Sequence, residues 1–354
     1  MWGRLLHVSI RSWHGSHSSA NMAFRSGFSL TWLTAMHPQK GKTMRKTSYV
    51  IIAAVLVALI VSAAFATIYL SSLTNSSTAS SSGVIHVVAA ENFWGSLITQ
   101  LGGARVSVTS IVSDPNVDPH EYESNPANAI AIANAQLVVI NGAGYDTWAQ
   151  QLIAASSTPG QVVLNVQEVI NQTVGANPHF WYSPAYVNET VKAMYQDLVS
   201  IDPSHASYYT QQYDALKASL AVCNGRIGAI KQQFGSVKVA STESIFVYLA
   251  NASGLDLVSP PAFMEAVAEG NDPPAQSIVQ FDQLITNGTV KVLVYNEQTV
   301  TPLTQSTKAL ASQNNIPTVP VTETIQPPDV SFQVWMNAQL ITLQNALNQQ
   351  ARGR

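Results

Sequence analysis

The stretch "VIHVVAAENFWGSLITQLGG", Val84 to Gly103, decides the fold. Its first part, "VIHVVAA", is a short apolar run of strand length, read as a buried strand. Phe93, Leu97, Ile98 and Leu101 then recur at helical spacing, and Gly102 supplies a stop. "VSVTSIV" (106–112) reads as a second strand. Asn125-Pro126 reads as an N-cap with proline at the first helical position. "LVVIN" (137–141) is a third strand, "YDTWAQQLIAA" opens a helix capped by Asp146, and "VVLNV" (162–166) is a fourth strand. Strands alternating with helices through short turns predict a parallel α/β sheet.

The alternation then stops. Pro184 to Ile201 and Pro203 to about Phe234 both read as helix. The second run would span about 45 Å at 1.5 Å per residue, with Gly225 and Gly228 as its weak points. Alternation resumes with "VKVAS", "ESIFVYLANASG", "PPAQSIVQFDQLITNG", "VKVLVYN", "TPLTQSTKALASQNN" and "PTVPV", and "SFQVWMNAQLITLQNAL" closes the chain. The expected organisation is an N-terminal α/β lobe over 85–202, a long connecting helix over 203–234 and a C-terminal α/β lobe over 235–354. The sequence shows no internal repeat, so any likeness between the lobes would be structural only.

Upstream, residues 1–43 follow no clean period and read as an extension before a more conventional start at Met44. Arg45 and Lys46 precede a run without charges from Tyr49 to Leu70. That run is long enough to cross a bilayer as a helix, and the preceding basic residues place the body outside the cytoplasm. Residues 44–70 are therefore read as a signal or anchor helix. Ala64-Phe65-Ala66 would allow cleavage near Ala66, but the length of the run favours a retained anchor. A Ser/Thr-rich linker follows over 71–84.

Among the 354 residues, 46% are apolar and 10% charged, with a formal net charge of −3. A disordered chain and a nucleic-acid partner are both disfavoured. The single cysteine, Cys223, lies in an apolar-periodic stretch and reads as a buried small residue, which leaves no intrachain disulfide. A monomer is expected. The nucleophile elbow, the phosphate-binding loop and the dinucleotide fingerprint are all missing.

Two Asx-Pro-His turns follow strands of the first half: "DPHEYE" at His120 and "NPHFWYSP" at His179. Ligands of open α/β sheets bind beyond the carboxyl ends of strands, and neutral imidazole is the commonest metal ligand. Taken singly, each histidine is an ordinary turn residue. Glu243 in "STESIFVYL" and Glu297 in "VLVYNEQTVTP" also come just after strands; as isolated residues they read as a first-turn and a loop carboxylate.

Taken together, these stretches resemble the metal-binding solute receptors of zinc and manganese ABC importers (the cluster A-I type). The resemblance covers about 85–348 and rests on the ordered combination of "DPH", "NGAGYDTW" and "NPHFWYSP". It implies two lobes joined by one rigid helix, with the metal in the cleft between them. The family's first two histidine ligands fall on His120 and His179, and its third, a His or a Glu, falls on Glu243. The fourth is usually a carboxylate after a late strand. Here "YNEQTVTP" offers only Glu297, so Glu297, a water or nothing completes the set.

The implied function is not enzymatic: capture of Zn2+ or Mn2+ outside the cell, zinc slightly favoured, and delivery to an ABC permease. The alternative on the same fold is a membrane-tethered surface adhesion or interaction protein.

Overall fold

The computed structural model describes residues 83–114, 122–156 and 158–352. The expected extension over 1–43, the anchor helix over 44–70, all but the last two residues of the linker, and His120 lie outside the described residues. Among those that are described, no helix is long and apolar enough to cross a membrane.

Two four-stranded parallel sheets organise the body. The first sheet comprises β1 (Ile85–Glu91), β2 (Val106–Val112), β3 (Leu137–Ile140) and β4 (Val162–Asn165), in the order β2-β1-β3-β4. The second comprises β5 (Lys238–Ser241), β6 (Asp256–Leu257), β7 (Leu293–Asn296) and β8 (Thr318–Val321), in the order β6-β5-β7-β8. The two orders are the same pattern, so the lobes share a topology that their sequences do not display. In each sheet the chain leaves its first strand towards one edge and returns on the other side. The point where it reverses, between β1 and β3 and again between β5 and β7, opens a crevice at the carboxyl ends of the strands.

The first lobe carries α1 (Asn92–Gly102), α2 (Pro126–Asn134), α3 (Thr147–Ser156) and the single turn α4 (Val166–Val169). Asn125 caps α2 through a reciprocal capping box with Asn128, and Pro126 sits at its first position. The helix α5 (Pro184–Ile201) leads through a tight turn at Pro203–His205 into α6 (Ala206–Phe234), 29 residues long. Gly225 and Gly228 do not break α6. Its buried stripe runs through Leu216, Leu220, Cys223, Ile227 and Ile230, and this spacing binds it to the core of both lobes. Cys223 is one rung of that stripe, and burial pushes its thiol up.

The second lobe adds α7 (Val247–Ala252), α8 (Pro261–Ala268), α9 (Ala275–Thr286), α10 (Pro302–Gln313) and α11 (Phe332–Arg352). α11 packs back along α6 and β8. The sequence reading passed over β6 and α8: a two-residue strand leaves no periodic signal.

A buried acidic knot ties the connector to the first lobe. Asp202 receives Arg105 Nε at 3.1 Å, Ser204 Oγ at 2.7 Å and Tyr209 Oη at 3.0 Å, and pairs with His205 Nδ1 at 2.8 Å. Burial alone would raise the Asp202 carboxyl, but these donors overcome it and hold the group well below the usual carboxylate range.

Candidate metal centre

Strand ends from both sheets meet over an aromatic floor. Phe93 stacks on Trp181 with ring centroids 4.0 Å apart, and Tyr145 lies 5.2 Å from the same indole. Phe93, Tyr145 and Trp181 are all buried. The polar groups above this floor therefore sit in a low-dielectric setting, where charges interact strongly.

His179 is fully buried and comes from the turn before α5. The Asn177 side chain sets its ring. Asn177 Oδ1 lies 2.6 Å from His179 Nδ1 and also accepts the His179 backbone N–H at 3.1 Å. The amide cannot be reversed, because Asn177 Nδ2 donates to Ser244 O at 2.7 Å. An accepting oxygen at Nδ1 places the ring proton there, so the lone pair is on Nε2. That nitrogen faces Glu323 Oε1 at 3.9 Å.

Glu243 is fully buried two residues past β5, and Glu323 is buried two residues past β8. Asn296, the last residue of β7, joins them: its Nδ2 lies 2.9 Å from Glu243 Oε2 and 2.8 Å from Glu323 Oε1. Tyr145 Oη donates to Glu323 Oε2 at 2.6 Å. Gln298 holds the backbone of the same loop, its Oε1 accepting Glu323 N–H at 2.7 Å and Thr324 N–H at 3.0 Å.

Glu297 is not brought to this cluster. It follows Asn296 on an extended segment, where successive side chains take opposite sides. Asn296 points in and Glu297 is exposed, while the Glu297 N–H donates to Val321 O at 2.9 Å. The carboxylate beside His179 and Glu243 is Glu323, which the sequence reading passed over. A signal was present: "STES" at 241–244 and "VTET" at 321–324 each place Thr-Glu just after a strand.

The turn "NGAGYD" supports the site from behind. Trp94 Nε1 donates to Asn141 Oδ1 at 3.1 Å, and Asn141 Nδ2 reaches Pro178 O at 2.9 Å, next to His179. Asp146 does not use its carboxylate as the expected helix cap. It turns back to accept the N–H groups of Asn141 at 2.6 Å and Gly142 at 2.9 Å. Gly142 (φ +77°) is required here, since a Cβ would lie 2.3 Å from Asn165 Oδ1. Burial raises the Asp146 carboxyl to about 6, against the pull of those amides. Burial, then the neighbouring Asp146 charge, holds Glu91 well above the usual range. Glu91 Oε2 is buried without a hydrogen-bond partner among the described residues, as suits a protonated carboxyl.

The lobes are tied across the cleft at several points beside the site. Tyr248 Oη donates to Asn177 O at 2.9 Å, Tyr182 Oη to Thr322 O at 2.8 Å, and Ile325 N–H to Asn92 Oδ1 at 2.9 Å. Among the described residues, no three His, Cys, Asp or Glu side chains are drawn together as tightly as a ready-made metal group. For two ligands of a tetrahedral metal with arms near 2.0–2.1 Å, the expected separation is about 3.3 Å. The His179–Glu323 pair is at 3.9 Å, a contraction within side-chain reach.

The model of the family described as zinc-uptake complex component A, periplasmic, matches residues 87–346. A manganese-binding lipoprotein of Halalkalibacterium halodurans is 27% identical over 183 residues, 49% of this chain and 59% of the relative. A high-affinity zinc uptake system protein of Bacillus subtilis is 22% identical over 200 residues, 51% of this chain and 61% of the relative. Both matches thus span less than two thirds of the relative's length. The periplasmic zinc-binding protein of Treponema pallidum has a similar fold, with a TM-score of 0.65 at 16% identity, covering 75% of this chain and 99% of that one.

Proposed function

Since the chain belongs to the family of the periplasmic component A of zinc-uptake complexes, we propose that it is an extracytoplasmic receptor for a divalent transition metal. The metal is its cargo, passed to the permease of an ABC importer. The observation that carries this reading is the burial of His179, from the turn before α5 in the first lobe, together with Glu243 and Glu323, from two strand ends of the second sheet. Buried carboxylates are costly unless paired or bound to a cation. A cation held between the lobes would favour their closed arrangement, which a permease can tell from the empty one.

The proposed ligands are His120 and His179 from the first lobe and Glu243 from the second. Glu323 takes the fourth place instead of Glu297. Two imidazoles and two carboxylates suit zinc in tetrahedral form, and intrinsic affinity also favours zinc over manganese. The body acts as a monomer outside the cell, tethered by the apolar segment at 44–70. The family is one of solute receptors, and this chain's role is binding, not turnover.

The test is metal titration of the full chain after stripping with a chelator. One equivalent of zinc or manganese should bind, and His120→Ala or His179→Ala should remove it. Absence of stoichiometric binding to either metal rejects the receptor reading and returns the surface-interaction alternative.

A further inference from the structure

The stretch "NEQ" at 296–298 lies beside the site, and the proposed ligand set makes no use of it. Asn296 is 2% exposed. Its orientation is fixed, because its Oδ1 accepts the Gln298 N–H at 3.0 Å. The nitrogen must then face Glu243 Oε2, Glu323 Oε1 and Thr299 Oγ1, at 2.9, 2.8 and 3.0 Å. Three acceptors thus surround a donor with two hydrogens. Two of them are carboxylate oxygens from different strand ends.

We propose that Asn296 is the specificity-determining residue of this site: its amide, shared between Glu243 Oε2 and Glu323 Oε1, fixes the planes of both carboxylates so that each meets the metal through a single oxygen, and so selects a metal of low coordination number. The inference rests on the receptor reading above and deepens it. A carboxylate binds one metal with both oxygens only when its open edge faces the ion. Glu323 receives Asn296 on Oε1 and Tyr145 on Oε2, so its plane is pinned from both sides. Glu243 is pinned on Oε2. A carboxylate oxygen that accepts one hydrogen bond keeps a second lone pair, so both groups can still act as ligands. Zinc is satisfied by four ligands in tetrahedral form. Manganese takes an octahedral oxygen-rich shell, which carboxylates free to rotate into chelation would help to fill and carboxylates held in fixed planes would not. Asn296 touches the ligands and not the cargo, so it acts as a positioning residue.

The experiment uses the full chain, stripped of metal, with zinc and manganese chlorides as separate probes in calorimetric or competition titrations. Asn296→Ala removes the donor; Asn296→Asp keeps the acceptor for the Gln298 N–H and removes both N–H groups. Melting curves in chelator establish that each variant is folded. Outer-shell partners of a metal site are worth about 10–100-fold in affinity. Zinc affinity should fall by about that factor while manganese affinity is unchanged or rises, so the zinc-to-manganese ratio drops in at least one folded variant. If both affinities fall by the same factor, or neither changes, the assignment of specificity to Asn296 is overturned while the receptor reading stands. Failure of the unaltered chain to bind either metal overturns both. Should both variants unfold, Thr299→Val with an unchanged ratio and Gln298→Ala with an unchanged ratio would likewise overturn it.

Discussion

Asn177 Oδ1 sits 2.6 Å from His179 Nδ1, and this one bond decides which imidazole nitrogen faces Glu323. The acceptor at Nδ1 keeps the proton there and leaves Nε2 to accept a cation. Asn177 also spans the cleft, donating to Ser244 O at 2.7 Å. Asn177→Ala should therefore weaken zinc binding by about 10–100-fold, although Asn177 is not itself a proposed ligand. Asn177→Asp keeps the acceptor and should recover most of the loss. Equilibrium titration of the two variants checks this, and equal losses would contradict it.

The two candidate carboxylates after β7 and β8 give opposite expectations. Glu323 is 1% exposed and engaged by Tyr145 and Asn296; Glu297 is exposed. Glu323→Gln should abolish tight binding of the metal, since an amide is a far weaker ligand than a carboxylate. Glu297→Gln should leave both affinity and stability within about 0.5 kcal/mol of the unaltered protein, as for surface substitutions generally. Titration together with a denaturant midpoint for each variant separates the two.

That pair also marks the limit of what the sequence could tell. Period and turn residues were enough to place β1 to β5, β7 and β8, the long helix α6 and the closing helix, because each buries a regular stripe. His179 and Glu243 could be read from a motif in its order along the chain. Glu323 carried only the weak signal of Thr-Glu after a strand, because the partners that tie it to the site, Tyr145 and Asn296, are 178 and 27 residues away. Which of two neighbouring residues faces the cleft depends on the last ladder bond of β7, Glu297 N–H to Val321 O. A one-residue shift in that register would exchange Asn296 and Glu297. β6 escaped for a different reason: two residues are too few to show a period.

Glu91 and Asp146 predict an unusual pH dependence. Both carboxyls are raised in the folded protein, Asp146 from 3.8 to about 6. A group whose folded value is raised binds its proton more tightly when folded. Its contribution is fully present below its unfolded value, near 4, and is lost as pH rises through about 6. Glu91→Gln removes one of the two raised titrating groups, so the slope of stability between about pH 4 and 6 should flatten. Denaturant midpoints against pH for the variant and the unaltered chain, both without metal, give the difference. Superimposable curves would contradict the prediction.

Asp202 has the opposite sign. Its folded carboxyl is held below the ordinary value by His205, Ser204, Tyr209 and Arg105. Its contribution is therefore present above the unfolded value, near 4, and is lost as pH falls below it. Asp202→Asn should destabilise the chain at neutral pH, and the deficit should shrink on acidification below about pH 4. The same set of midpoints, extended downward, measures it. A deficit that stays constant to the lowest pH would mean that shape, not charge, gives the knot its value.

The connector itself can be strengthened. Gly225 and Gly228 lie inside α6, both on its exposed side. A Cβ added at either meets nothing within 4 Å, and neither glycine takes the left-handed conformation that would resist alanine. Glycine inside a helix costs roughly 0.5–1 kcal/mol relative to alanine, through the backbone freedom it surrenders on folding. Gly225→Ala and Gly228→Ala should each raise the unfolding free energy by about that amount. Being three residues apart on the helix, they are close enough to couple, so the double variant tests additivity as well. Denaturant unfolding of the metal-free chain gives the increments. A loss in either variant would mean that the solvent face of α6 packs against something in solution. Gly228, which borders the groove lined by Tyr186, Tyr248 and Asn251, is where that loss would be seen first.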